Sequence, residues 1–268
     1  MSGEAAVPPP LPPAPGNAQW EGSVRPIVIG FVVLAVLAIA SCRYGVPVLA
    51  SAAAERVPDS FVDSVGEQVL RGFDSGAFEP SALEPARQAA VVRRFSQLRF
   101  PSGASPADYG IVFRRSESVG ANAMALPSGT IVVTDGLVAL SGHEDEIVAV
   151  LAHEAGHVTH RHGLRLMFQS SFASLWLTWM LGDVSGLAAS ASSALLDAKY
   201  SRDFERDADA FAIELLDENQ VSREHFARML ERLEQSAQEA GAASGGTVFS
   251  YLSSHPVTRE RLESVRGR

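Results

Sequence analysis

From Pro26 to Cys42 the chain reads PIVIGFVVLAVLAIASC, apolar throughout and uncharged until Arg43. If Arg43 carries its charge to the headgroups along its own stem, the run extends through Ala50 and spans roughly 20 residues of hydrocarbon. The pattern predicts a single transmembrane helix over 26–50. Before it, residues 1–25 are rich in Pro, Ala and Gly and lack the apolar content to bury a core, so they are expected to form a disordered tail. Ile39-Ala40-Ser41-Cys42 also fits a lipobox, which leaves a lipoprotein anchored at Cys42 as the alternative. A secretory signal peptide is disfavoured by the long leader, which holds an acid and no cluster of positive charge.

Beyond residue 50 the pattern breaks into short periodic segments. Tyr109–Phe113, Asn122–Leu126 and Thr130–Thr134 read as strands, the last two joined by a Pro127-Ser128-Gly129 turn. Ile147, Val148, Val150, Leu151 and Val158 give a helical stripe; Ser141-x-x-Glu144 has the form of a capping box and Gly163 that of a stop, so a helix is predicted from about Gly142 to His162. A second helix follows Ser201 as N-cap, with Phe204, Ala208, Phe211, Leu215 and Leu216 on its buried side. Between the two, Met167–Leu181 with Trp176 and Trp179 is too short to span a bilayer easily. It is expected to roof the core, with the alternative that its aromatic rings dip into a membrane surface. Leu187–Leu196 is expected to continue as a small-residue helix.

Chemistry concentrates on the first of these helices. His153-Glu154-Ala155-Gly156-His157 is an HExxH run, with imidazoles at i and i+4 on one face and able to reach one ion at about 2.0–2.1 Å. A catalytic zinc site commonly takes three protein ligands, so a third must come from elsewhere. On the second helix Glu205 and Asp209 share a face. Glu205 can serve as that ligand while Asp209 receives the outer N–H of a ligand imidazole; read in isolation, the two acids would instead be a solvated face. Two imidazoles and one carboxylate leave a Zn²⁺ site near +1, enough to acidify water and polarise a peptide carbonyl. Glu154 then takes the proton of the attacking water and delivers it to the departing amine.

Four segments resemble the M48 family of membrane-associated zinc peptidases, the group of HtpX-like, Oma1-like and BepA-like proteases: Asn122-Ala123-Met124-Ala125-Leu126-Pro127-Ser128-Gly129, the HEAGH run, Ser201-Arg202-x-x-Glu205-x-x-Ala208-Asp209, and Ser254-His255-Pro256 followed by Arg261. They occur in the family's order over most of residues 55–268. The resemblance implies that His153, His157 and Glu205 are ligands to one Zn²⁺ per chain, Glu154 the catalytic base and Asp209 an outer support. It implies further that His255 can act as a fourth ligand holding the enzyme latent, with packing at a helix N-terminus as the plainer alternative. Asn122, Ala123 and Met124 are expected near an extended substrate that adds to a sheet edge. His160 and His162 are expected to be exposed or to lie just outside the ligands. Arg202 is expected either to orient Glu205 or to face a developing oxyanion. His143 and His225 carry no readable signal.

Composition sets the outer limits. The 268 residues are 46% hydrophobic, enough for one core over residues 51–268, and the net charge of −9 speaks against nucleic acid as a partner. A lone cysteine excludes an intramolecular disulfide. The expected architecture is α+β: a zincin-like domain, mostly helical with a small antiparallel sheet, behind one transmembrane helix. The expected function is zinc-dependent endopeptidase activity on protein or peptide substrates. By resemblance the setting is a bacterial inner membrane with the catalytic domain in the periplasm, and the targets are misfolded or unassembled envelope proteins. The competing reading is a latent or non-catalytic zinc-bearing scaffold that holds clients on its edge strand. Oligomeric state is not readable.

Overall fold

A computed structural model describes residues 24–101, 103–181, 201–244 and 251–267, so the expectations for residues 1–23 and Leu187–Leu196 lie outside the described residues, as do the side chains of Cys42, Trp176 and Trp179. The chain divides into two compact units, Met1–Arg43 and Tyr44–Arg268. The first carries α1 (Val24–Ala40), whose Ile, Val and Leu side chains from Ile27 to Ile39 are exposed, as is Phe31. A π-helical turn, Ser41–Gly45, follows. Pro26–Glu55 is the one described helix long and apolar enough to cross a membrane, by length and composition.

The second unit begins with α2 (Val46–Glu55) and α3 (Asp59–Asp74), then β1 (Glu79–Pro80) and α4 (Pro85–Ser96). It continues through β2 (Gly110–Arg115), β3 (Ala123–Ala125), β4 (Thr130–Thr134), α5 (Asp135–Leu140), α6 (Glu144–Thr159) and α7 (His162–Leu181). After residue 200 come α8 (Arg202–Glu218), α9 (Glu224–Ser244), α10 (Tyr251–Ser254) and α11 (Arg259–Arg266). The unit is mostly helical, as expected.

The sheet is mixed, which corrects the antiparallel expectation. Its order is β1-β2-β4-β3: β1 pairs antiparallel with β2, β3 antiparallel with β4, and β2 parallel with β4 in the register Val112↔Val132. Alternating apolar residues set which face of a strand is buried but not which strand it pairs with. Here the chain crosses from β2 to the far side, lays down β3, and returns through the Pro127–Gly129 turn, so β4 enters between them in the direction of β2. Gly129 turns at φ +82°, and a Cβ there would stand 2.3 Å from the Asp108 carbonyl oxygen. No residue with a side chain fits that place.

Helix α6 is buried on every side from Glu146 through His157. A helix buried all round is an interior one; it runs between α8, α9, α4 and β3. Its N-terminus is two residues later than the capping-box pattern predicts. Ser141 closes α5, where its hydroxyl donates to the Val138 carbonyl at 2.7 Å. His143 caps instead, Nδ1 accepting from the Asp145 N–H at 3.1 Å, and the Glu146 carboxylate accepts the Gly142 N–H at 2.7 Å. The helix also stops before Gly163: Arg161 adopts φ +52° and α7 begins at the next residue. Arg161 is held there by the Ala54 and Val57 carbonyls and by Asp59.

Gly156 decides how close the two site helices come. A Cβ at that position would lie 2.8 Å from Ala208 Cα and 2.9 Å from its carbonyl oxygen. Glycine facing alanine lets the α6 and α8 backbones nearly touch, and this proximity carries Glu205 to the histidines. Ser201 caps α8 as expected, accepting from the Phe204 N–H at 3.2 Å, and Phe204, Ala208, Phe211, Leu215 and Leu216 are all buried. Helix α7, expected as a roof over the core, instead packs chiefly with α2. Leu164 joins Ala54 and Val62 in a small cluster apart from the main core.

Candidate metal centre

Four buried side chains converge where α6 and α8 cross. His153, His157, Glu205 and His255 each offer a ligand-type atom, and these atoms lie within 4.8 Å of one another. The one-turn spacing on α6 brings His153 Nε2 and His157 Nε2 to 3.0 Å. Glu205, in the first turn of α8, places Oε1 3.4 Å from His157 Nε2 and Oε2 3.6 Å from His153 Nε2. His255 follows the short α10, and its Nδ1 stands 2.8 Å from Glu205 Oε1 and 3.3 Å from His153 Nε2. The Tyr251 ring stacks on it at 4.4 Å.

Glu154 turns to the other side of the cluster. Its Oε2 accepts the Ala125 backbone N–H at 3.0 Å, so the strand β3 fixes the carboxylate. Its Oε1 is fully buried, has no hydrogen-bond partner among the described residues, and lies 3.7 Å from His255 Nε2. Burial raises the Glu154 carboxyl above its ordinary range. A buried, unpartnered oxygen of this kind is suited to taking a proton.

An outer layer orients these groups. Asp209, one turn beyond Glu205, sets Oδ1 2.9 Å from His153 Nδ1. Arg261, from α11, donates to Asp209 through Nε at 2.7 Å and Nη2 at 2.8 Å, and its Nη1 lies 2.7 Å from Glu205 Oε2. Burial alone would raise both carboxyls, yet the neighbouring histidines hold Glu205 well below the usual range and His153 with Arg261 holds Asp209 below it. The guanidinium beside Glu205 is therefore that of Arg261, whereas Arg202, for which that role was one expectation, is exposed at the start of α8. Sequence reading picked out Arg261 without giving it work, because nothing local marks a C-terminal arginine as returning to a helix 52 residues earlier. His162, expected to be exposed or just outside the ligands, is fully buried behind His157, the two Nδ1 atoms being 2.9 Å apart. His160 is half-buried.

The residues expected at a substrate edge divide. β3 is the last strand of the sheet. Ala123 is buried and Met124 half-buried; Asn122 is buried, with its backbone N–H on Thr134 Oγ1 at 2.8 Å. Ala125, within the same run, is the member that touches Glu154.

The donor set suits a divalent cation. Glu154, Glu205 and Asp209 are buried around the cluster with the guanidinium of Arg261, the single buried one among the described residues, formally three negative charges against one positive. Such an excess inside a protein calls for compensation, and two imidazoles with a carboxylate are ligands that zinc accepts. A buried His/Glu group of this kind, carried on packed helices beside a small sheet, can hold a metal ion and fits a metallopeptidase. The sequence profile of Peptidase family M48 matches residues 85–268, and the chain belongs to that family.

The chain is 33% identical over 155 residues to Metalloprotease YcaL of Escherichia coli, a stretch covering 55% of this chain and 58% of that relative. With Metalloprotease LoiP of the same organism it shares 24% identity over 218 residues, 78% of this chain and 81% of LoiP. With Mitochondrial metalloendopeptidase OMA1 of Saccharomyces cerevisiae it shares 28% over 149 residues, 54% of this chain and 42% of OMA1. The chain thus spans little more than half the length of YcaL and less than half that of OMA1.

Proposed function

We propose that the protein is a zinc-dependent endopeptidase of zincin type, with residues 1–25 as a tail, 26–50 as a transmembrane anchor and 51–268 as the peptidase domain. The convergence of His153, His157, Glu205 and His255 donor atoms within 4.8 Å carries this reading. His153, His157 and Glu205 would hold one Zn²⁺, with Asp209 supporting His153. Zinc when bound supplies Lewis acidity, which makes water more acidic and a peptide carbonyl more electrophilic. Glu154, held by the Ala125 N–H through one oxygen, takes the proton of the attacking water on the other and returns it to the leaving amine. Ala123, Met124 and the neighbouring Asn122 lie along the edge strand to which an extended peptide would add by main-chain hydrogen bonds. Recognition through main-chain groups favours unfolded segments. Misfolded or unassembled envelope proteins at the periplasmic face of a bacterial inner membrane are the substrates and setting proposed, and attachment at Cys42 is the alternative mode of anchoring.

The test uses the full chain in detergent, with zinc content and casein cleavage measured together. One zinc per chain, cleavage abolished by a chelator and restored by added zinc are expected. Zinc without cleavage in either the wild type or an unlatched variant would leave the scaffold reading in its place.

The position of His255 favours a latent resting form. It stands within the donor cluster, and Pro256 and Thr258 just after it line a cavity of about 620 Å³. His255→Ala is expected to raise casein cleavage by roughly 10-fold if the latched form outnumbers the open one by that ratio. An unchanged or lower rate with zinc retained would assign His255 to packing.

A further inference from the structure

We infer that His162 is a positioning residue for the metal centre: it holds His157 in the ring orientation and tautomer that leave Nε2 free to ligate. The inference rests on the zinc reading above. His157 directs Nε2 at the cluster, 3.0 Å from His153 Nε2, and its Nδ1 points the opposite way, 2.9 Å from His162 Nδ1. A ring that ligates through Nε2 carries its proton on Nδ1, and that proton needs an acceptor. His162 Nδ1 is in place to accept it, which puts the His162 proton on Nε2, with the Asp207 carboxylate 3.7 Å away.

His162 is itself firmly set. It is fully buried, begins α7 directly after the positive-φ turn at Arg161, and stacks on Phe204 with ring centroids 4.2 Å apart and planes 11° from parallel. Phe204 adjoins Glu205 on α8, so one ring contact ties the support of His157 to the element that carries the carboxylate. The two ligand imidazoles are consequently supported by different chemistry. Behind His153 stands the Asp209 carboxylate, which strengthens it as a donor; behind His157 stands a second imidazole, a weaker acceptor that fixes direction while adding less basicity.

Two substitutions in the full chain separate this role from simple packing. His162→Phe keeps the ring on Phe204 and removes the acceptor. His162→Asn gives up the ring and places an amide oxygen where Nδ1 stands. Zinc affinity measured by competition with a chelator is expected to fall about 10- to 100-fold in the Phe variant and to remain near wild type in the Asn variant. Melting of the metal-free chain should be lowered more by Asn than by Phe, the reverse order. Wild-type zinc affinity in His162→Phe would overturn the inference and leave the peptidase reading standing, as would equal losses of affinity in both variants. A wild-type chain that binds no zinc would overturn both.

Discussion

Glu154→Gln is expected to retain its zinc and lose casein cleavage by about 10²- to 10⁴-fold, the span over which a positioned acid–base group acts. The substitution is close to isosteric. An amide oxygen can go on accepting the Ala125 N–H now received by Oε2, while an NH₂ group replaces the unpartnered Oε1. What disappears is the capacity to take a proton at that atom. Because burial raises this carboxyl, the neutral amide removes a desolvated charge, so the variant should melt no lower than wild type. Zinc content, melting temperature and cleavage measured on one preparation form the check. A variant that cleaves at the wild-type rate would remove Glu154 from the mechanism; one that loses zinc would show the carboxylate acting on the ligands instead.

How much of this was legible in the chain follows from how local each signal is. The i, i+4 histidines and the i, i+4 acids depend on helical pitch alone, and both pairs stand where the period puts them. The buried side of α8 follows from the same period. Two steps were not local. The Ser141 hydroxyl donates to the Val138 carbonyl in the helix before it while His143 caps α6 two residues later, and no spacing rule says which residue opens the helix. The parallel pairing of β2 with β4 arises from a crossover that alternation along a strand leaves unspecified.

The centre shows the same division. His153 and His157 announce themselves through residue type and spacing, whereas Glu205 read in isolation belongs to a solvated face and owes its expected role to the family resemblance. Of their supports, Asp209 is legible from its spacing to Glu205, but His162 reads as the polar end of a helix until the Arg161 turn folds it behind His157, and Arg261 lies 52 residues from Asp209. Outer groups act through packing between distant elements, and a single sequence records only that such residues exist. Gly156 belongs here as well. Its motif position is one that any small residue could fill, and only the 2.8 Å approach to Ala208 Cα shows that a methyl group there would push the Glu205 helix off the histidines.

Arg261→Met is the complementary test, because it leaves every proposed ligand in place and removes the buried cation behind them. The guanidinium binds Asp209 through two nitrogens and lies 2.7 Å from Glu205 Oε2. Methionine fills a similar volume but leaves Asp209 with His153 alone. Stripping one partner from a buried, hydrogen-bonded ion pair costs about 3–5 kcal/mol, so the metal-free variant should unfold at distinctly lower denaturant concentration than the metal-free wild type. Zinc should recover only part of the loss. It compensates the charge of Glu205, which Arg261 also touches, but leaves Asp209 uncompensated, and the loosened hold on His153 should weaken zinc binding about 10- to 100-fold. Arg261→Met combined with Asp209→Leu should then be more stable than Arg261→Met alone, since the stranded carboxylate goes with its partner. If the double variant proves weaker than the single one, the damage comes from lost packing, and the argument that Arg261 balances the buried carboxylates fails.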